Sequence, residues 1–196
     1  MMNPDYEMRQ PTALSQYPRP IIFLHWATLF LLVASAGCVF GLDLAGSRTS
    51  RLLLISCHRN IGLLIFGVVV ARLVIRMVYR SRMPSHDLTA ILHVLSSVVQ
   101  AAIYGLLLIL PLLGWALSNA HGTAVAALGL LPLPSIVGLD LDLADSLEIW
   151  HTWGAWLLYA LVAVHAGAAL WHHYLRRDEV LTAMWPKALA RTASGR

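Results

Sequence analysis

Four histidines lie in one apolar stretch near the C-terminus, at residues 147–177, and three of them follow a helical repeat. They are His151, His165, His172 and His173. The first three are separated by fourteen and then seven residues. At about 100° per residue they fall nearly on one helix face, with rises of about 21 Å and 10.5 Å between them. Ionisable side chains inside an apolar span are costly and mark functional sites, so this stripe predicts that two of these histidines ligate iron.

The composition is that of an integral membrane protein. Of the 196 residues, 58% are hydrophobic and 12% are charged, whereas soluble domains average about 45–50% and 25%. The length leaves room for four spans with short loops in a single domain, so the predicted fold is an all-α, four-helix transmembrane bundle. The net charge of +4 comes from arginines that flank apolar runs. That placement indicates a lipid bilayer as the partner and argues against nucleic acid.

Four apolar runs are the predicted spans, and the chain divides around them. The spans are residues 20–42, 52–79, 88–118 and 147–177, with the longest connection at 119–146. The predicted parts are a cytoplasmic N-terminal segment (1–19), the four-span domain (20–177) and a basic cytoplasmic tail (178–196). The N-terminal segment lacks the form of a cleavable signal, so the first span is expected to be retained. Pro111 should kink the third span.

The basic residues predict the orientation of the spans. Ten of the fourteen lysines and arginines lie on the side of the termini, and Arg48, Arg51 and Arg59 lie on the other. The excess of basic residues marks the cytoplasmic side, so both termini are expected there. The three arginines of the outer side could attract an anion, although acidic residues at 140, 142 and 145 would oppose them.

Depth in the membrane pairs histidines from different spans. His25 and His165 should both lie towards the cytoplasmic side, and His58 and His151 towards the outer side. Two imidazoles on opposite faces of a flat ring are the ligation that haem requires, and bundle helices can hold them rigidly. Zinc fits less well, because its ligands are closely grouped. Histidines that merely form hydrogen bonds inside the bundle are the other interpretation.

The sequence also resembles the bacterial cytochrome b-561 type of di-haem membrane cytochromes, which include the superoxide oxidases. The motifs are I-x-x-L-H-W ending at Trp26, H-x-x-x-G at 58–62, ARLVIR at 71–76, LPLLGW at 110–115, DSLEIWH at 145–151 with a second histidine fourteen residues on, and ALWHHYLRRD at 169–178. The resemblance covers about residues 17–186. Together these motifs are specific, although no single one would be.

The resemblance implies two b-type haems with four axial ligands, His25, His58, His151 and His165. It further implies electron transfer across a bacterial inner membrane, with superoxide oxidised at the outer face and ubiquinone reduced. An electron carrier or membrane anchor, passing electrons between the quinone pool and a partner redox protein, is the alternative function. A haem-free metal or proton transporter is a more distant one.

Further residues are candidates for binding these molecules, each with a plainer alternative. Arg72 would pair with a haem propionate or extend its side chain to the membrane surface. Gly62 would admit a haem or a neighbouring helix. His172, His173 and Tyr174 would form a quinone site or an interfacial belt.

Other residues have no predicted role. Relatives often carry a histidine where this chain has Gln100, so the roles of Gln100 and His93 stay open. His86 and His121 look like loop residues. Cys38 and Cys57 form no C-x-x-C or C-x-x-C-H motif, which argues against covalent c-type haem attachment and against a thiolate metal site. They are expected to be two small buried residues or a disulfide near the outer face.

Overall fold

Four long helices dominate the computed structural model, which describes residues 16–82, 90–177 and 180–185. They are α1 (Arg19–Phe40), α2 (Arg48–Val78), α3 (Ala90–Ala120) and α4 (Leu141–Trp171), followed by a short α5 (Val180–Ala183); β1 (Ala126–Ala127) and β2 (Leu131–Pro132) form a small hairpin. Each long helix is apolar and long enough to cross a membrane. The predicted four-helix transmembrane bundle is therefore confirmed. His86 lies outside the described residues, as do four of the ten basic residues that predicted the orientation, Arg9, Lys187, Arg191 and Arg196.

Capping residues set two helix starts that apolar patterning placed too late. The last long helix was predicted from residue 147 but begins at Leu141, because the Asp140 side chain accepts a hydrogen bond from the Leu143 amide at 3.0 Å. The second begins at Arg48, where Ser47 and Ser50 form a reciprocal capping box. The longest connection is correspondingly shorter than predicted, and it contains the hairpin.

The helices pack in chain order and leave a gap in the bundle. α1 packs along α2, α2 along α3, and α3 along α4. Among the described residues, no comparable backbone packing joins α4 to α1 or α2. The apolar core lies between the packed helices and consists of Leu32, Ile65, Val69, Leu107, Leu110 and Leu158. α4 is thus held by α3 and faces α1 and α2 across an open interior.

Contacts near the chain ends close one end of the bundle. The Tyr17 amide donates to the Ala183 carbonyl at 3.2 Å. The Trp26 indole N–H donates to the Met184 carbonyl at 2.9 Å, and its ring packs on Trp185. The segment around α5 therefore lies beneath the start of α1. Both ends of the described chain are at the same end of the bundle, here called the terminal side; the opposite end is the hairpin side.

The α3–α4 contact depends on a glycine. A Cβ at Gly154 would lie 2.7 Å from Leu110 Cδ2, whereas a Cβ at Gly167 on the same helix would meet no atom within 4 Å. Gly154→Ala should therefore be less stable to unfolding than Gly167→Ala by about 1 kcal/mol. Both changes give α4 the same gain in helix propensity, so the second is a matched control. Thermal unfolding in detergent measures the difference, and equal midpoints would contradict this packing.

Candidate functional site

Two pairs of histidine rings face one another across the gap beside α4. In the hairpin-side pair, His58 of α2 and His151 of α4 have ring centroids 6.0 Å apart. In the terminal-side pair, His25 of α1 and His165 of α4 have centroids 6.4 Å apart. A metal–imidazole bond is about 2 Å and a ring nitrogen is about 1 Å from its centroid, so two imidazoles on opposite sides of one metal ion have centroids about 6 Å apart. Each pair has the spacing of such a site.

His58 is held in the tautomer that a metal ligand needs. Its Nδ1 lies 3.2 Å from the Ser35 carbonyl oxygen and 3.0 Å from the Ser35 hydroxyl. The carbonyl can only accept, so we assign the proton to Nδ1. Nε2 then carries a free lone pair. A backbone carbonyl that accepts from the second ring nitrogen is the usual support for a metal-bound histidine.

Gly114 makes room for the partner ring. A Cβ at this position would lie 3.3 Å from His151 Cε1, which is tighter than ordinary van der Waals contact. His151 Nδ1 is buried and has no hydrogen-bond partner among the described residues. Gly114 is the glycine of the LPLLGW motif, so the sequence did mark this position. Its contact with α4 could not be deduced from the spacing of residues along the chain.

A cavity of about 380 Å³ surrounds the hairpin-side pair. Its walls come from all four long helices and include His58, His151, Gly62, Arg59 and Glu148. A Cβ at Gly62 would meet no atom within 4 Å, so this glycine borders open space and does not mediate helix packing. The cavity falls in the size range of small-molecule and cofactor sites.

Two further side chains of this cavity were not predicted. The exposed His121 lines it, although the sequence suggested only a loop residue. Trp115 lines it as well, and its indole nitrogen is buried with no hydrogen-bond partner in the described part of the chain. A buried donor without an acceptor costs free energy, so a polar group of a bound molecule would stabilise it by accepting this hydrogen bond.

Arg72 turns into the bundle at the terminal-side pair. Its Nη2 donates to His25 Nδ1 at 2.9 Å, and its guanidinium carbon lies 5.3 Å from the Tyr104 ring centroid. The alternative in which Arg72 extends to the membrane surface does not hold in this structure. Arg72 Nε and the Tyr104 hydroxyl are both buried without hydrogen-bond partners among the described residues. A cation and a hydroxyl without acceptors would suit an anionic group.

Two aromatic residues for which the sequence predicted no role of their own complete the terminal side. Trp26 packs edge-on against His25, with ring centroids 5.8 Å apart. Burial raises the pKa of Tyr17, while the nearby Arg76 and Arg72 oppose that shift. The phenol therefore stays protonated at neutral pH and can donate a hydrogen bond. The only sequence signal for either residue is the place of Trp26 in the I-x-x-L-H-W motif, because the packing of the chain ends positions both.

The candidate quinone residues lie in an unusual turn at the end of α4. His172–Arg176 form a π-helical turn, and Arg177 ends it in the left-handed conformation with φ 55°. His172 and His173 are half-buried, whereas Tyr174 is exposed and its ring packs on His173. Single π turns occur frequently at functional sites. Of the two residues left open on the third span, His93 is exposed and Gln100 is half-buried.

The cysteines only partly match their prediction. Cys38 is half-buried, but Cys57 is exposed, so the expectation of two buried residues is wrong for Cys57. No cluster of three or more histidine, cysteine or acidic side chains suited to a metal ion occurs within residues 16–82, 90–177 and 180–185. Each of the two histidine pairs has two imidazoles and is therefore smaller than such a cluster.

These features define the class of the protein, an all-α integral membrane bundle with paired histidines in its interior. Residues 16–187 match the family described as prokaryotic cytochrome b561. Cytochrome b561 homolog 1 of Escherichia coli is 30% identical over 183 residues, which are 89% of this chain and 99% of that protein. The probable superoxide oxidase CybB of Yersinia pestis is 30% identical over 172 residues, 85% and 93% of the two chains. Cytochrome b561 homolog 2 of E. coli is 27% identical over 134 residues, 67% of this chain and 70% of that protein.

The chain belongs to the prokaryotic cytochrome b561 family. It is a bacterial membrane protein of electron transfer that binds b-type haem.

The Trp26 contact under His25 can be tested separately. Trp26→Phe removes the hydrogen bond to the Met184 carbonyl but keeps an aromatic ring. Amide hydrogens of residues 180–185 should then exchange several-fold faster, since a lost hydrogen bond contributes about 1 kcal/mol. Trp171→Phe is the control, because that side chain is 56% exposed at the end of α4. Unchanged exchange in Trp26→Phe would show that this bond does not hold the segment.

Proposed function

We propose that this protein carries electrons across the membrane through two b-type haems, one held by each histidine pair. The observation that supports it best is the spacing of the two ring pairs, 6.0 and 6.4 Å, across a gap between helices. Haem iron supplies a centre that accepts and donates one electron at a time. Because α4 contributes one histidine to each pair, it links the two centres across the bilayer.

The hairpin-side pair fits a haem in its present geometry. His58 presents Nε2 because Ser35 occupies Nδ1. Gly62 leaves space on the cavity wall, and Trp115 offers a buried donor without an acceptor. These groups would hold a planar molecule by ligation on two faces and by a hydrogen bond at its edge.

In the terminal-side pair, His25 must exchange its hydrogen-bond partner before it can bind a haem. A guanidinium can only donate, so His25 Nδ1 accepts from Arg72 and the ring proton lies on Nε2. Ligation through Nε2 requires that proton to move, so Arg72 must release His25 in the haem-bound form. A propionate is the natural new partner, because guanidinium groups bind carboxylates through two hydrogen bonds. Arg72 is thus proposed as a haem-binding residue.

The paired histidines make a direct prediction for haem content. His58→Ala or His151→Ala should lose the hairpin-side haem, and His25→Ala or His165→Ala the terminal-side haem, so each variant should fall from two haems per chain to one. Haem content per chain, measured from the pyridine haemochrome spectrum, gives the count.

The exposed His93 provides the control, since His93→Ala should retain both haems. Two haems with unchanged spectra in any of the four ligand variants would contradict the assignment of that residue.

We further propose that the electron donor is superoxide and the acceptor is ubiquinone. The relative from Y. pestis is named a probable superoxide oxidase. In this chain Arg59 lines the cavity of the hairpin-side pair. Arg51 lies in the first turn of α2, and its guanidinium donates a hydrogen bond to the carbonyl of Leu42, another residue of the cavity wall. Glu148 on the same cavity wall reduces the positive potential. Two superoxide anions would each give up one electron, and one ubiquinone would take up two electrons and two protons.

The quinone is proposed to bind at the terminal side, beside His172, His173 and Tyr174. These residues lie in the turn that continues α4 and follow His165 in the chain by seven to nine positions, which is about 10–14 Å at the rise of an α-helix. Imidazole and phenol groups can donate to quinone carbonyls and pass protons from the membrane surface. The predicted orientation places this end in the cytoplasm and the hairpin side outside the bacterial inner membrane.

Stopped-flow mixing with superoxide tests the donor. Haem reduction should approach about 10⁸ M⁻¹s⁻¹ at low salt and slow as ionic strength rises. Arg59→Gln should lower the rate constant several-fold, whereas Arg76→Gln, an exposed residue at the opposite end, should not. No reduction by superoxide, in protein that still carries two haems, would instead favour a carrier or membrane anchor that exchanges electrons with a partner redox protein.

A further inference from the structure

Cys38 of α1 and Cys57 of α2 lie at the same level in the register of two antiparallel helices. The register is given by two contacts on either side of them. Ser35 Oγ lies 3.0 Å from His58 Nδ1. Six residues further along the chain from Ser35, a Cβ at Gly41 would lie 3.4 Å from a Leu54 methyl group.

The cysteines lie between those two contacts on both helices. Cys38 is three residues from Ser35 and three from Gly41, so it shares their face of α1. Cys57 follows Leu54 by three residues and immediately precedes His58.

Small side chains let the helices approach at this place. The face of α1 that meets α2 here carries Ser35, Cys38 and Gly41, and none of these residues has a large side chain. A disulfide needs Cα atoms about 4.4–6.8 Å apart, a distance that packed helices reach only where the intervening residues are small. Both cysteines have free thiols in the described structure, and Cys57 is exposed.

We propose that Cys38 and Cys57 are a redox-active pair that forms a reversible disulfide between α1 and α2. In the forward step the two thiols exchange with a disulfide of a partner molecule. The thiols lose two protons and two electrons, one S–S bond forms between the helices, and the partner disulfide becomes two thiols. Excess dithiol reverses the step.

The disulfide would act on the helix pair that positions His58. Cys57 is the neighbour of His58, and Cys38 lies one turn from the Ser35 that holds its Nδ1. A covalent link here fixes the relative position of α1 and α2 where that hydrogen bond is made. The proposal does not depend on what the histidine pairs bind.

Reaction of the full-length protein in detergent with 4,4′-dithiodipyridine tests the pair. This apolar aromatic disulfide can reach thiols within a micelle. In the native protein one thiol should be captured first and then displaced by its neighbour. Intact-mass analysis should show the loss of two hydrogen atoms with no attached thiopyridyl group, and two thiopyridones should be released per chain.

The single variants provide matched controls. Cys38→Ser and Cys57→Ser should each keep one thiopyridyl group and release one thiopyridone, because no neighbouring thiol is left to displace it. A wild-type chain that carries two thiopyridyl groups would overturn the proposal, as would a disulfide between two chains on a non-reducing gel. So would native protein that keeps both thiols while the denatured protein reacts fully.

Discussion

The bundle is organised around four imidazoles that must be held in pairs within an apolar interior. An ionisable side chain in hydrocarbon is costly unless it stays neutral and its ring nitrogens have partners. The fold leaves room for such partners by separating α4 from α1 and α2 while packing it firmly on α3. Gly154 brings α3 and α4 together, and Gly114 gives the His151 ring its space. The gap that results is the place where both pairs lie.

The two ends of this gap differ in charge and hydrogen bonding. At the hairpin side His58 is supported by Ser35, and the opposite charges of Arg59 and Glu148 share the cavity wall. At the terminal side Arg72 lies within the bundle against Tyr104. Positive charge near a redox centre favours its reduced form. If each pair holds a haem as proposed, the terminal-side haem should have the higher reduction potential, and electrons should run towards it.

Much of the fold could be predicted because its causes are local. Long apolar runs predicted the four helices, and the stripe of histidines on the last span follows directly from the helical repeat. Helix starts were less accurate, since the caps at Asp140 and Ser47 override the apolar pattern. The roles of Gly114 and Trp26 depend on contacts between distant parts of the chain. Spacing along one helix contains no information about such contacts, so the sequence could not reveal them.

The central claim is that each histidine pair holds one haem, and a redox titration of the purified protein with a haem count tests it most directly. Two haems per chain with two resolved midpoint potentials are the expected result. Arg72→Gln should lower the higher of the two midpoint potentials, because the positive charge of Arg72 lies at the terminal-side pair. One haem per chain, or a single midpoint that fits all of the absorbance change, would contradict the account.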